Sequence, residues 1–234
     1  MQPRTILATC LLIAQFLFAA PFAAAEVIPI DDDVAQKIFQ DAKAKAGFWQ
    51  LMHYFESQVD QTYCGVASAA IVLNSLDVAA PASPAIHPYR RFDQSNFFTE
   101  SVLGVKSPKY VHLSGLTLDE LGKMLELSGV DVAVHHAAPP LDLDGFRTIA
   151  AAALADPKSR IIVNFHRKYI GQDGAGHHSP LAAYDATSDR FLLLDVARYR
   201  LPPVWVPAAD LWASMNTEDS DAKANRGFLV IRTK

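Results

Sequence analysis

The sequence predicts an α+β protein with helices in its first half and a mainly antiparallel sheet in its second. Three observations carry this reading. Before residue 130 the apolar segments follow helical spacing and carry helix caps, whereas beyond it short runs of Val, Ile, Leu and Phe dominate. Thr187-Ser188-Asp189 separates two of those runs as a tight turn, the connection that antiparallel neighbours use. The chain has 234 residues, half of them hydrophobic and a fifth charged, enough for one core without division into domains.

The elements follow in order. Asp31-Asp32-Asp33 caps a helix over about 34–46, with Gly47 as its stop. Residues 48–63 read as irregular. CGVASAAIVLNSL, from Cys64 to Leu76, is small and apolar on every side and reads as a buried helix. Pro81, Pro84 and Pro88 make 79–90 a loop. Thr117 and Glu120 form a capping box for LDELGKMLEL, which stops at Gly129. Asp142 or Asp144 starts a helix through about Leu154, and 207–215 forms a short one. Strands are expected at 130–134, 160–165, 180–186, 190–197 and 227–233.

The chain is expected to be exported. Arg4 precedes an apolar stretch from Ile6 to Ala20, and Ala23-Ala24-Ala25 supplies small residues before Glu26. This pattern predicts a secretory signal over 1–25, a single domain over 26–234 and a periplasmic location, with no membrane attachment after cleavage. A net charge of −4 and no basic run argue against a nucleic-acid partner. Of the two cysteines, Cys10 lies inside the leader, so the mature domain keeps Cys64 alone. Exported proteins ordinarily pair their cysteines, so a single one is either an inert buried thiol or a reactive one.

Position favours reactivity. Cys64 opens an apolar helix, whose free N–H groups and dipole stabilise a thiolate, and Gly65 is expected to let a substrate backbone come close. A thiolate nucleophile needs a base, and the base an orienting partner. GAGHHSP (174–180) offers His177 and His178 between a glycine-rich loop and a strand. Strand alternation sends the two rings to opposite faces, so only one is expected at the cysteine. Asp195, at the end of FLLL, falls across the hairpin from His177. Gln58, six residues before Cys64, is placed to donate to an oxyanion beside the cysteine's own N–H. Adjacent His135 and His136 point apart on their strand and lack a ligand-spaced partner set, so they are not read as a metal site.

QTYCGVASAAIVLNSL, GQDGAGHHSP and LDVARYRLPPVWVP, in that order from about Phe55 to Phe228, closely resemble the catalytic domain of the phytochelatin synthase family. The resemblance implies a papain-like fold and a γ-glutamylcysteinyl thioester formed from glutathione with loss of glycine. Position by position it makes Cys64 the nucleophile, His177 the base, Asp195 its orienter and Gln58 the oxyanion donor. It implies that Asp219 and Arg226 hold the α-amino and α-carboxylate groups of the γ-glutamyl moiety, with Arg198 a further substrate-binding candidate. The family usually carries an aromatic residue where His178 stands. No cofactor is implied for catalysis, and a heavy-metal response (Cd, Zn) would come through metal–glutathione complexes.

Glutathione is thus the expected partner, and a homodimer is compatible with the reading. The chain resembles the short bacterial form, without a cysteine-rich C-terminal extension, so hydrolysis to γ-Glu-Cys and glycine is expected to outweigh phytochelatin synthesis. Dilute glutathione outside the cytoplasm points the same way. Synthase activity proper, a papain-like peptidase of other specificity, and a thiol or heavy-metal binder remain the rival readings.

Overall fold

The computed structural model describes residues 26–83 and 86–234; the expected leader lies outside them. Among the described residues there are eight α-helices. Asp32 caps α1 (Asp33–Asp41), its carboxylate accepting from the Val34 N–H at 2.7 Å. The helix stops short of residue 46 because Ala44 pairs with Tyr184 of the sheet, taking the Tyr184 N–H on its carbonyl at 2.8 Å. α2 (Phe48–Tyr54) forms where irregular chain was expected. It buries only Phe48 and Leu51, one turn apart, too short a pattern to stand out in sequence. α3 (Cys64–Ser75) is buried at every position, as its composition required.

The short helices α4 (Glu100–Leu103) and α5 (Pro108–Ser114) had no sequence signal. α6 (Leu118–Leu127) carries the expected box: Thr117 Oγ1 accepts from the Glu120 N–H, and the Glu120 carboxylate from the Thr117 N–H. Asp142 caps α7 (Leu143–Ala155), and α8 (Ala208–Met215) lies near the end of the chain.

The strands are β1 (Ile28–Pro29), β2 (Val130–His136), β3 (Ser159–His166), β4 (Gly176–Asp185), β5 (Arg190–Leu193), β6 (Val204–Pro207), β7 (Glu218–Asp219), β8 (Ala224–Asn225) and β9 (Gly227–Thr233). Seven form one sheet in the order β1-β6-β5-β4-β3-β9-β2, every pair antiparallel. β7 and β8 make a separate ribbon. β4 starts at Gly176, four residues earlier than expected, which brings both histidines into the strand. β5 ends at Leu193, which releases Asp195 from the ladder.

Side-chain alternation feeds two cores. Ile162, Leu192 and Leu229 pack with α3 and α6 on one face, while Ile161, Phe165, Phe191 and Phe228 pack with α7 and α8 on the other. The helical first part therefore covers one face of the sheet and later helices the second. This is the α+β, papain-like arrangement, with the first turn of α3 set against the start of β4. Among the described residues no helix is long and apolar enough to cross a membrane.

Candidate active site

Cys64 is the first residue of α3 and is 7 % exposed. Tyr63 precedes it without a side-chain cap, so nothing of its own competes for the N–H groups of the first turn. Gly65 does not face a substrate, as the sequence suggested. A Cβ there would come 3.1 Å from Leu116 Cδ1, so the glycine lets the helix pack against the segment entering α6.

His177 and Asp195 meet as expected, the His177 Nε2–H donating to Asp195 Oδ1 at 3.0 Å. They are not directly opposed. The β4–β5 ladder shifts register between Leu181 and Ala183 and pairs Leu181 with Leu193. Asp195 thus lies diagonally across from His177, a spacing that a long side chain bridges. Asp195 is fully buried and accepts three further bonds: two from Arg167, Nη1 to Oδ2 at 2.6 Å and Nη2 to Oδ1 at 2.9 Å, and one from the Ala197 N–H at 2.8 Å. Arg167 is itself buried and donates at 2.6 Å to Gln172. Sequence reasoning missed this arginine. Its only signal was a cation two residues after the apolar strand RIIVNF, a place where surface charge is common.

Burial alone would raise the Asp195 carboxyl; the hydrogen bonds and charges of His177 and Arg167 outweigh it and hold the group well below the usual carboxylate range. Burial likewise favours the neutral forms of Cys64 and His177. The attraction between the two groups overcomes it, with His178 assisting the thiol and Asp195 assisting His177. The thiol is driven well below its ordinary value and the imidazole above its own, the directions that favour a thiolate beside an imidazolium. With Nε2 committed to Asp195, Nδ1 is the His177 nitrogen left for the sulfur.

The expectation for His178 needs correction. Alternation holds at Cβ: His177 pairs with Phe165 and touches its ring edge-on at 5.6 Å, and His178 pairs with Asn164. Both rings nevertheless interact with the thiolate, with His178 Nδ1 3.8 Å from Cys64 Sγ. An imidazole carries its nitrogens well past Cβ, so the face of a strand does not decide which ring reaches a sulfur at the strand's end. His178 Nε2 is buried without a partner, an arrangement that costs about 1–3 kcal/mol unless a ligand satisfies it.

A cavity of about 250 Å³ opens beside Cys64, and His178, Asn164, Asp219, Ser220 and Arg226 line it. Arg226 Nη2 stands 4.0 Å from Asp219 Oδ2, and its Nη1 donates to the Glu218 carbonyl at 2.5 Å. Arg226 Nε is buried and unpartnered. The glycines of the GAG loop make room for both arginines. Gly174 has φ +124° and a Cβ there would lie 2.8 Å from Arg167 Cδ, while one on Gly176 would lie 3.0 Å from Arg226 Nη2.

Gln58 sits apart from this cavity. Its Nε2 donates to the Asp60 carbonyl at 2.8 Å and to Tyr199 Oη at 3.2 Å, and its Oε1 is unpartnered. It lines an adjoining hollow that shares Gln61 and Thr62 with the Cys64 cavity. Arg198 stacks over Phe55 at 4.6 Å, donates to the Phe55 carbonyl at 3.0 Å and does not line the cavity. His135 stacks on Phe228, whereas His136 bonds Asn225 and Asp119, so the pair shares no ligand. Among the described residues no three His, Cys, Asp or Glu side chains are grouped to hold a metal.

A sequence profile of the family described as phytochelatin synthase matches residues 21–228. "Glutathione gamma-glutamylcysteinyltransferase 1" of Arabidopsis thaliana is 34 % identical over 198 residues, 83 % of this chain and 39 % of that protein. "Glutathione gamma-glutamylcysteinyltransferase 3" of Lotus japonicus is 32 % identical over 200 residues, 84 % of this chain and 40 % of its own. "Glutathione gamma-glutamylcysteinyltransferase" of Schizosaccharomyces pombe is 25 % identical over 199 residues, 85 % and 46 %. The chain thus spans less than half the length of these relatives.

Proposed function

Because this chain belongs to the phytochelatin synthase family, we propose that it performs acyl-enzyme chemistry on glutathione, with Cys64 as nucleophile, His177 as acid and base, and Asp195 as orienter. The Cys64 thiolate attacks the carbonyl of the Cys–Gly amide. As the C–N bond breaks, the His177 imidazolium gives its proton to the leaving nitrogen, and glycine departs. The γ-glutamylcysteinyl group remains as a thioester on Sγ. Water then attacks that carbonyl, the C–S bond breaks, and γ-glutamylcysteine leaves.

One observation carries the reading: Cys64, beside the His178 ring, opens onto a cavity whose wall presents a carboxylate and a guanidinium 4.0 Å apart. The α-carbon of a γ-glutamyl group bears an ammonium and a carboxylate, the complementary pair, so Asp219 and Arg226 would anchor it. The name shared by the curated relatives agrees with this substrate class.

Hydrolysis is favoured by space. The cavity of about 250 Å³ is smaller than the ~300–1,000 Å³ usual for drug-sized ligands, which suits a single small peptide thiol, and water is the smallest acceptor for its thioester. Transfer to a second glutathione is the rival fate of the same thioester. Gln58 would reach the oxyanion only by releasing one of its two bonds, and Arg198 would act from outside the cavity. Cadmium and zinc would enter as complexes of the substrate thiol. Export with cleavage before Glu26 remains part of the proposal. Chromatography of products from glutathione, with and without cadmium, tests the reading: γ-glutamylcysteine and glycine are expected, abundant (γ-Glu-Cys)n chains would reassign it to synthesis, and absence of glycine release would overturn it.

A further inference from the structure

Two imidazoles meet one sulfur here, and their surroundings differ. His177 is fixed behind the thiolate. Asp195 holds its Nε2, Arg167 grips Asp195, Phe165 touches its ring, and His177 is not among the residues lining the cavity. His178 does line the cavity. Its backbone is tied to α3, its carbonyl accepting from Ser68 Oγ at 3.3 Å, so the ring is positioned with Nδ1 3.8 Å from Sγ. Its Nε2 is buried with nothing bound to it.

We propose that His178 is a second catalytic imidazole, the base that activates the acceptor water when the Cys64 thioester is hydrolysed. The inference rests on the acyl-enzyme reading above. Once Sγ is acylated it carries no negative charge, and His178 Nδ1 is released from it. The thioester carbonyl is one bond from that sulfur, so a water attacking it from the cavity comes within hydrogen-bond reach of Nδ1, the first requirement of a general base. Against the resting thiolate Nδ1 carries the proton; after acylation that proton shifts through cavity water to the unpartnered Nε2, and the freed Nδ1 takes one proton from the attacking water as the C–O bond forms. Collapse breaks the C–S bond and returns the electron pair to Sγ as thiolate. Of water's two protons, one restores the His177 imidazolium by way of His178. The other leaves with the acid for solvent, matching the proton that the released glycine amine takes up. His177 thus serves the thiolate and the leaving amine, and His178 the acceptor.

The test separates the two half-reactions. Glutathione is mixed rapidly with wild type, His178→Phe and His178→Gln; glycine is quantified through the first turnover and the steady state, and acyl-enzyme is followed by intact mass. Both variants are expected still to release one glycine per enzyme, more slowly because the thiolate loses one of its two imidazole partners, and then to turn over ~10²- to 10⁴-fold more slowly than that first release with the thioester accumulating. Imidazole added to acylated His178→Ala should speed loss of the thioester, which a merely structural role would not produce. His177→Ala, by contrast, should lose the first glycine. Wild-type steady-state turnover in both His178 variants, or loss of the first glycine in folded His178→Phe and His178→Gln, would overturn the assignment. If wild type itself neither releases glycine nor forms the thioester, the glutathione reading falls and this inference with it.

Discussion

Arg167 grips Asp195 with two hydrogen bonds, at 2.6 and 2.9 Å, and the same carboxylate orients His177 from its Oδ1. One buried carboxylate therefore neutralises a guanidinium and holds the His177 ring. Its substitution should disturb fold and chemistry together. Asp195→Asn leaves a buried arginine without its counter-charge, a change that costs about 3–5 kcal/mol. We expect a loss of that size in denaturant unfolding together with slower turnover. Asp195→Asn with wild-type stability would show that the ion pair does not matter to the fold.

Turnover of glutathione should depend on the thiolate and on His177. Cys64→Ser should fold normally, since it changes one buried atom, and release almost no glycine. His177→Ala should lower turnover by ~10²- to 10⁴-fold. Glycine release that survives in Cys64→Ser would remove Cys64 from the mechanism.

The ionisation of Cys64 has a direct readout in its alkylation by iodoacetamide, which reports thiolate. The folded thiol is held low by His177 and His178 despite burial, so the rate should be flat through neutral pH. It should fall only as acid protonates the thiolate, well below the ordinary thiol value of about 8.5. In His177→Ala the same profile should move upward in pH. A wild-type profile that still rises through pH 8 would contradict the ion pair.

Asp219→Asn tests the substrate anchor. The side chain keeps its shape and loses its charge, so it should weaken the hold on the substrate ammonium in ground state and transition state alike. KM for glutathione should rise about tenfold or more with kcat little changed. An unchanged KM would place the γ-glutamyl group elsewhere.

Export makes a separate prediction. Protein recovered from the periplasm or medium should have the intact mass of a chain beginning at Glu26. A mass that retains Met1 would count against the signal.

Much of the site was legible because its parts are local. An apolar run opening at Cys64 announced a buried helix with the cysteine at its start, and α3 begins at that residue. Thr117 with Glu120, and Asp142, announced caps that the structure contains. The short helices α2, α4 and α5 were not legible. Each is seven residues or fewer, held by tertiary packing rather than by a pattern long enough to register.

The sequence by itself determined the fold class and the order of helices and strands, and it singled out Cys64, His177 and Asp195 as candidates, because periodicity, caps and motif spacing are properties of neighbouring residues. Only the tertiary structure decided that Arg167 clamps Asp195, that Gln58 spends both amide hydrogens on Asp60 and Tyr199, and that His178 meets the sulfur from the cavity side. Apart from the local Gln58–Asp60 bond, these contacts join residues 28, 141 and 114 positions apart. They depend on a register shift in β4, on strands ending earlier or later than expected, and on how far a side chain reaches. Burial then forces each polar group to find whatever partner lies within that reach, and nothing local in the chain specifies which one it will be.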